Sequence, residues 1–129
     1  MSTVRQRIST DRAPRAVGPY SQGIRAGELV FTAGQIPINP ATGTIEAVGI
    51  EDQTRQALEN VRAVLEAAGS GLDRVLKTTV FMVDLKEFQA MNGVYATYFP
   101  TDPPARSAFQ VSALPLGARV EIECLALAG

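Results

Sequence analysis

The stretch GIEDQTRQALENVRAVLEAAG, residues 49–69, decides the fold, because its pattern is the clearest in the chain. Apolar side chains recur along it at three- and four-residue spacing, the period of a helix that packs one side against a core. Gly69 follows the last of them, where a glycine commonly ends a helix. We therefore predict one long helix here, with a core-facing side formed by Ile50, Ala57, Leu58, Val61, Val64, Leu65 and Ala68.

Segments typical of strands lie on both sides of this helix. We place them at residues 4–9, 23–26, 29–33, 75–83, 106–111 and 118–126. Residues 34–45, GQIPINPATGTI, are predicted to form turns, because two prolines and Gly43 interrupt any regular element. A second helix is predicted after Asp84, which with Glu87 resembles a capping box. Its apolar positions are Leu85, Phe88, Met91, Tyr95 and Phe99.

The resulting order, β-β-β-α-β-α-β-β, indicates an α+β fold in which only two helices can cover the sheet. The segments LVFTA and VLKTTVFMV are apolar on both faces, as strands are when both faces are covered. In residues 119–127, RVEIECLAL, the two-residue period turns Ile122 and Cys124 one way and Glu121 and Glu123 the other. Symmetric self-association would cover the second face and create clefts between subunits. The alternative is that both glutamates face water.

The amino-acid composition indicates a single folded domain and excludes several kinds of catalytic and metal site. The 129 residues, 46% hydrophobic and 19% charged, predict one domain over residues 1–129 with its own core. The chain has no histidine, which excludes histidine-dependent catalytic triads, histidine metal ligands and a histidine general base. Its one cysteine, Cys124, suits a reducing compartment and is predicted to pack in the core. No membrane span is predicted, and a net charge of −1 does not indicate nucleic-acid binding, so we expect a cytoplasmic protein.

Several ordered pieces of the sequence carry a resemblance to a known family. They are GPYSQGI, FTAGQIP, ENVRAVLEAAG, KTTVFMVDL, PPARSAFQVSALP and VEIECLA. Together they resemble the RidA/YjgF family of reactive imine and enamine deaminases over nearly the whole chain. The resemblance implies a chorismate-mutase-like fold, with a mixed six-stranded sheet and two helices on one face. It also implies a homotrimer with three clefts between neighbouring subunits.

The resemblance further implies an activity. Family members hydrolyse 2-aminoacrylate and related 2-imino acids to 2-keto acids and ammonia. We expect a small-molecule substrate and neither a cofactor nor a metal.

Arg106 is the first candidate site residue. In PPARSAFQV, residues 103–111, the prolines keep the chain extended, so a permanent positive charge stands where a strand begins. A 2-imino acid carries a carboxylate, which the planar donors of an arginine can bind in two places. The resemblance assigns this anchoring role to Arg106. The alternative is a surface ion pair with a nearby glutamate.

Glu121 is the second candidate. Hydrolysis needs a group that moves protons, and without histidine a carboxylate is the natural acid or base. The resemblance assigns the water-positioning role to Glu121, while Glu123 shares its face of the strand. Burial at a subunit interface would raise the pKa of such a carboxylate towards neutral pH. The alternative is a solvated strand face.

The remaining candidates are substrate contacts. The resemblance implies that Tyr20 and Asn92 line the cleft; the alternatives are core packing for the tyrosine and a helix-surface position for the asparagine. Ala33 stands where the family often has serine, so a hydroxyl is missing near the substrate. Gly34 is expected to let the backbone approach a small ligand. Ala108 replaces a frequent cysteine, at a place where the contact is largely through backbone N–H.

Other function classes stay open on the sequence alone. A binding module could sense a keto or amino acid without turnover, through the same arginine. A ribonuclease would use the early cluster Arg5, Arg7, Arg12 and Arg15, but the chain lacks a basic groove pattern and histidine. A holdase that protects unfolded proteins has no marker in the sequence.

Overall fold

The computed structural model describes residues 4–129. The strands are β1 (Arg5–Ile8), β2 (Gly23–Ala26), β3 (Leu29–Thr32), β4 (Ile38–Asn39), β5 (Thr44–Ile45), β6 (Val75–Met82), β7 (Ala105–Gln110) and β8 (Val120–Leu127). The helices are α1 (Ile50–Ala67) and α2 (Phe88–Tyr98), and single 3-10 turns lie at Leu72–Arg74, Leu85–Glu87 and Pro115–Gly117. Within residues 4–129, no helix is both long and apolar enough to cross a membrane.

One mixed sheet organises the chain. Its six strands lie in the order β1-β2-β3-β8-β6-β7, and all neighbours are antiparallel except the parallel pair β6 and β7. Parallel neighbours need a long crossover, and α2 with its flanking loops supplies it. This architecture confirms the prediction of a mixed six-stranded sheet with two helices.

Helix α1 forms where its apolar period predicts it. Its inward side is completely buried at Leu58, Val61 and Leu65. The chain leaves the helix through Gly69, whose φ of 80° is a left-handed conformation that glycine adopts without strain. Arg25 from β2 donates to the carbonyl of Ala68 at 3.1 Å, so a cation lies at the negative end of the helix dipole.

The core lies between the helices and one face of the sheet. On β8, Val120, Ile122 and Cys124 are buried against the helices, while Glu121 and Glu123 alternate with them and are half-buried. This confirms the predicted alternation. The opposite face of the sheet, which we call the open face, also carries Phe31 and Phe109 with exposures of 45% and 52%. The open face is therefore a partly apolar surface.

Only the Asp84 half of the predicted capping box forms, and the Glu87 half of the prediction is wrong. Asp84 Oδ1 accepts from the N–H of Lys86 at 2.9 Å and so caps the 3-10 turn at Leu85–Glu87, and α2 begins only at Phe88. The Glu87 carboxylate instead accepts from Arg119 Nη1 at 2.8 Å. This long-range ion pair replaces the local bond and ties the turn before α2 to the start of β8.

The prediction that residues 34–45 form only turns is also wrong. Ile38 pairs with Ile45 and Asn39 with Thr44, so β4 and β5 form a short antiparallel ribbon. The two prolines flank β4 rather than occupy it, which leaves its pairing groups free. The amide of buried Asn60 in α1 donates to the carbonyls of Ile36 and Ile38, at 3.1 and 2.9 Å. This fixes the ribbon to the core helix.

The remaining strand ends differ only slightly from prediction. Strand β3 ends at Thr32, one residue early, so Ala33 starts the loop that leaves the sheet. Strand β8 begins at Val120 rather than residue 118, because a 3-10 turn occupies Pro115–Gly117 immediately before it.

Candidate active site

The predicted site residues fall into two groups on one chain. Arg106 pairs in register with Thr78, whose hydroxyl is buried against Tyr95 of α2, so Arg106 projects from the helix-covered face. Glu121 pairs with Phe81 and projects from the open face. The structure therefore does not bring these two residues together within one chain.

We call the first group the acid half-site. It is a cavity of about 540 Å³ that contains four of the predicted residues, Tyr20, Ala33, Gly34 and Glu121. Most of the remaining wall is apolar, from Val17, Ile36, Ile38, Pro115 and Leu116, with Arg15 also lining it. Tyr20 is 52% exposed, so it is not a core residue. The arrangement offers one carboxylate in a mostly apolar wall.

Glu121 has the electrostatics of an acid-base group. Burial raises the pKa of its carboxyl above the usual value, and the nearby charge of Glu123 raises it further. The strand is held beside the cavity by a pair of bonds: Gln35 N–H donates to Ile122 O at 2.8 Å, and Ile122 N–H returns to Gln35 O at 3.1 Å. A carboxyl with a raised pKa holds a proton more readily than an ordinary glutamate, which favours a role in proton transfer.

The loop after β3 forms the floor next to Glu121. Ala33 donates its N–H to the carbonyl of Gln22 at 2.8 Å, and its methyl group leaves this part of the wall without a hydroxyl. Gly34 was expected to face a ligand with its bare backbone. The structure places the Glu121 carboxylate there instead, because a Cβ on Gly34 would lie 2.6 Å from Glu121 Oε2.

We call the second group the arginine half-site. Arg106 Nη1 donates to Asn92 Oδ1 at 2.7 Å. The guanidinium carbon lies 5.1 Å from the centre of the Phe88 ring and 4.8 Å from that of Tyr95, within the range of cation–π attraction. None of the ion pairs formed by residues 4–129 includes Arg106, so the surface ion pair is not what this structure contains. The guanidinium is held in place and keeps its charge available.

The surroundings of Arg106 form a second cavity, of about 470 Å³, lined also by Pro103 and Pro104. Ala108 lies two residues further along β7 and packs against the core, so its side chain points away from solvent. Strand β7 is an edge strand, which leaves backbone groups on its outer side without a partner strand in residues 4–129. Any ligand contact at Ala108 would therefore be through backbone.

Sequence reasoning missed the ring pair that holds Arg106. It treated Phe88 and Tyr95 only as apolar positions of the second helix. The signal was their spacing, because Phe88, Asn92 and Tyr95 stand at i, i+4 and i+7 and share one helix face. Tyr95 is further fixed by a 2.6 Å hydrogen bond between its hydroxyl and that of Thr78.

Two other kinds of chemistry are not supported. Burial raises the pKa of the Cys124 thiol to about 12, so it is protonated and unreactive at neutral pH. Residues 4–129 contain no group of three or more histidine, cysteine, aspartate or glutamate side chains that could hold a metal ion.

Comparison with known proteins places this geometry in a family. Residues 10–128 match a family model described as Endoribonuclease L-PSP. The chain is 47% identical over 125 residues to Reactive Intermediate Deaminase A, chloroplastic, from Arabidopsis thaliana, covering 97% of this chain and 67% of that protein. It is 42% identical over 128 residues to 2-iminobutanoate/2-iminopropanoate deaminase of Homo sapiens, covering 99% and 93%.

A solved structure agrees with these relatives. The crystal structure of E. coli TdcF with bound serine superposes with a TM-score of 0.92 at 44% identity, covering 96% of this chain and 99% of that one. Because the family model spans nearly all of the sequence and these relatives share 42–47% of their residues with it, the chain belongs to the RidA/YjgF family.

Proposed function

We propose that the protein hydrolyses reactive 2-imino and 2-enamino acids, such as 2-aminoacrylate, to 2-keto acids and ammonia. The observation that carries the proposal is Arg106, a guanidinium held by Asn92 and two rings with no carboxylate paired to it in residues 4–129. Keeping a charged fork in place without an internal partner suits capture of a substrate carboxylate. The names of the human and Arabidopsis relatives support the same chemistry.

The active unit we propose is a homotrimer with three clefts. Arg106 and Glu121 project from opposite faces of one sheet, so one substrate reaches both only if neighbouring subunits bring the two half-sites together. The exposed rings of Phe31 and Phe109 on the open face supply apolar surface for such association.

The proposed mechanism assigns one task to each half-site. Arg106 binds the substrate carboxylate and directs the C=N carbon towards Glu121 of a neighbouring subunit. Glu121 takes a proton from water as the oxygen attacks that carbon and passes it to the nitrogen, which gives a carbinolamine. Glu121 then takes the proton of the new hydroxyl and passes it to the same nitrogen, so that the keto group forms as the C–N bond breaks and ammonia leaves. An enamine first gains a proton at its terminal carbon and becomes the imine. Overall, one water is consumed for each keto acid and ammonia formed.

The specific substrates we propose are 2-iminobutanoate and 2-iminopropanoate, the names carried by the human relative. The apolar wall of Ile36, Ile38 and Leu116 beside Glu121 suits short aliphatic side chains. We also propose a cytoplasmic location, since the one cysteine is free and buried; the Arabidopsis relative is named as chloroplastic.

A second function is a sensor that binds a keto or amino acid without turnover. Two observations favour it: the wall at Ala33 lacks a hydroxyl, and the related TdcF structure holds serine. A ribonuclease is less well supported, because Arg12 of the early basic cluster is paired with Glu66 at 3.1 Å and the chain has no histidine.

One experiment separates enzyme from sensor. An amino-acid oxidase or dehydratase generates the imine in the presence or absence of purified protein, and keto-acid and ammonia release are followed. We expect release to accelerate in proportion to protein concentration. Unchanged release, together with keto-acid binding measured by calorimetry, would replace the enzyme with the sensor.

A further inference from the structure

Gly34 lies directly beneath the carboxylate of Glu121. A Cβ built on Gly34 would be 2.6 Å from Glu121 Oε2, 2.8 Å from Cδ and 3.1 Å from Cγ. Such distances are well inside the contact separation of non-bonded heavy atoms. At Gly49, by contrast, a Cβ would meet nothing within 4 Å. The contact at Gly34 involves the functional end of the proposed acid-base group.

The backbone at Gly34 does not itself require glycine. Gly43 has a φ of 76°, in the left-handed region, but Gly34 is not among the positive-φ residues of the described chain. An L-residue could therefore adopt this conformation. What an L-residue would lack at this position is space.

Neither side of the contact can easily move away through the backbone. The residue before Gly34 is held by the Ala33–Gln22 bond at 2.8 Å. The residue after it, Gln35, exchanges two backbone hydrogen bonds with Ile122, the neighbour of Glu121 on β8. The loop and the strand are thus locked at a fixed separation, so the Glu121 side chain is the part that would have to shift.

We propose that Gly34 is a positioning residue for Glu121: its missing side chain forms a slot that holds the carboxylate flat against the cavity wall. The catalytic consequence rests on the proposed function. In the slot the carboxylate is partly removed from water and faces the cavity from one defined direction. A methyl group in the slot would push it towards solvent and away from that direction.

The steric part of the proposal is tested without any assay of activity. Thermal unfolding is measured for Gly34→Ala and, as the control, Gly49→Ala, each in the wild-type background and in Glu121→Ala. Gly49 is the N-cap of α1, so its alanine variant should lose the same small capping contribution in both backgrounds. We expect Gly34→Ala to lower Tm in the wild type and to have little effect in Glu121→Ala, where the obstructing side chain is gone. If Gly34→Ala lowers Tm equally in both backgrounds, the proposed slot is refuted. The slot is also refuted if Gly34→Ala leaves both the wild-type Tm and the titration of Glu121 unchanged. If Gly34→Ala does not fold, the double variant with Glu121→Ala still must.

The catalytic part is tested by kinetics in a second cycle. We expect Gly34→Ala to lower kcat by roughly tenfold or more with KM changed less than about threefold, and to add less than about twofold to the loss in Glu121→Gln. Gly49→Ala should match wild type. If Gly34→Ala lowers kcat by the same factor in the wild type and in Glu121→Gln, Gly34 acts on the substrate directly and the positioning role is overturned.

A titration separates failure of this inference from failure of the proposed function. The carboxyl of Glu121 is followed by NMR in the wild type and in Gly34→Ala, and we expect its pKa to fall in the variant because the displaced carboxylate regains water. An unchanged pKa overturns the inference even if the protein is a deaminase, whereas inactivity of the wild type on imines would leave this result standing. The other titratable groups near this carboxylate are Glu123, whose charge raises its pKa, and Arg15 and Tyr20, which line the same cavity.

Discussion

Replacing Arg106 tests the arginine half-site most directly. Its guanidinium has five N–H donors, and Nη1 is already engaged by Asn92 at 2.7 Å, which leaves other donors for a substrate carboxylate. A charge-assisted contact of this kind contributes about 1.5–3 kcal/mol. At about 1.36 kcal/mol for each factor of ten, Arg106→Ala should lower kcat/KM by roughly ten- to 150-fold.

Arg106→Lys refines this expectation. Lysine keeps the charge but presents a single ammonium in place of a planar fork, and it cannot bond Asn92 while also stacking between Phe88 and Tyr95 as the guanidinium does. We expect it to recover only part of the loss, ending between wild type and Arg106→Ala. A kcat/KM that falls in the order wild type, Arg106→Lys, Arg106→Ala would indicate that Arg106 binds the substrate carboxylate with two donors.

The stability of these variants should change little. The Arg106 side chain is exposed, and each cation–π contact at an exposed site contributes about 0.5–1 kcal/mol. The free energy of unfolding should therefore fall by no more than about 2 kcal/mol. A change of this size is smaller than the roughly 5–15 kcal/mol that stabilises a typical domain, so the variants should stay folded in the assay and a loss of kcat/KM should not come from unfolding.

The assay is steady-state imine hydrolysis, with thermal melts and sedimentation of each variant. Arg55→Ala is the matched control, because Arg55 is a surface arginine of α1 whose one ion pair within residues 4–129 is with Asp52. Activity of Arg106→Ala within about twofold of wild type, with folding and assembly intact, would refute the reasoning. The carboxylate anchor would then lie elsewhere.

The remaining expectations concern the acid half-site, the support of Arg106 and the assembly. Glu121→Gln should lower kcat by about ten- to a thousand-fold, since general acid-base catalysis is typically worth about 10² to 10⁴. Glu123→Gln should lower kcat much less. Equal losses of kcat in the two variants would mean that Glu121 is not the acid-base group. Because burial and then Glu123 raise the pKa of Glu121, the acid limb of the kcat/KM profile should lie above the usual glutamate pKa, and Glu123→Gln should move it to lower pH. Asn92→Ala should raise KM more than it lowers kcat, because it frees Arg106 to move; an unchanged KM would contradict the holding role. Sedimentation should give a trimer at micromolar concentration, and a stable monomer would remove the shared cleft.

Local sequence was sufficient to predict the elements that depend on local period. The apolar spacing of residues 49–69 predicted α1, and the two-residue alternation of β8 separated Ile122 from Glu121. Prediction from local sequence failed where a side chain bonds a residue far along the chain instead of a neighbour. Glu87 bonds Arg119, 32 residues away, rather than closing a cap at Asp84, and the β4–β5 ribbon is fixed to α1 by Asn60.

Motifs in the sequence were enough to nominate the candidate residues and the family, because each motif is a short run of chain. Their arrangement depended on tertiary structure. Only the register of β7 on β6 places Arg106 on the helix-covered face, opposite to Glu121. Only the bridge between Gln35 and Ile122, 87 residues apart, brings Gly34 under the glutamate. Strand register and side-chain packing are set by long-range contacts, and no local period in a sequence encodes them.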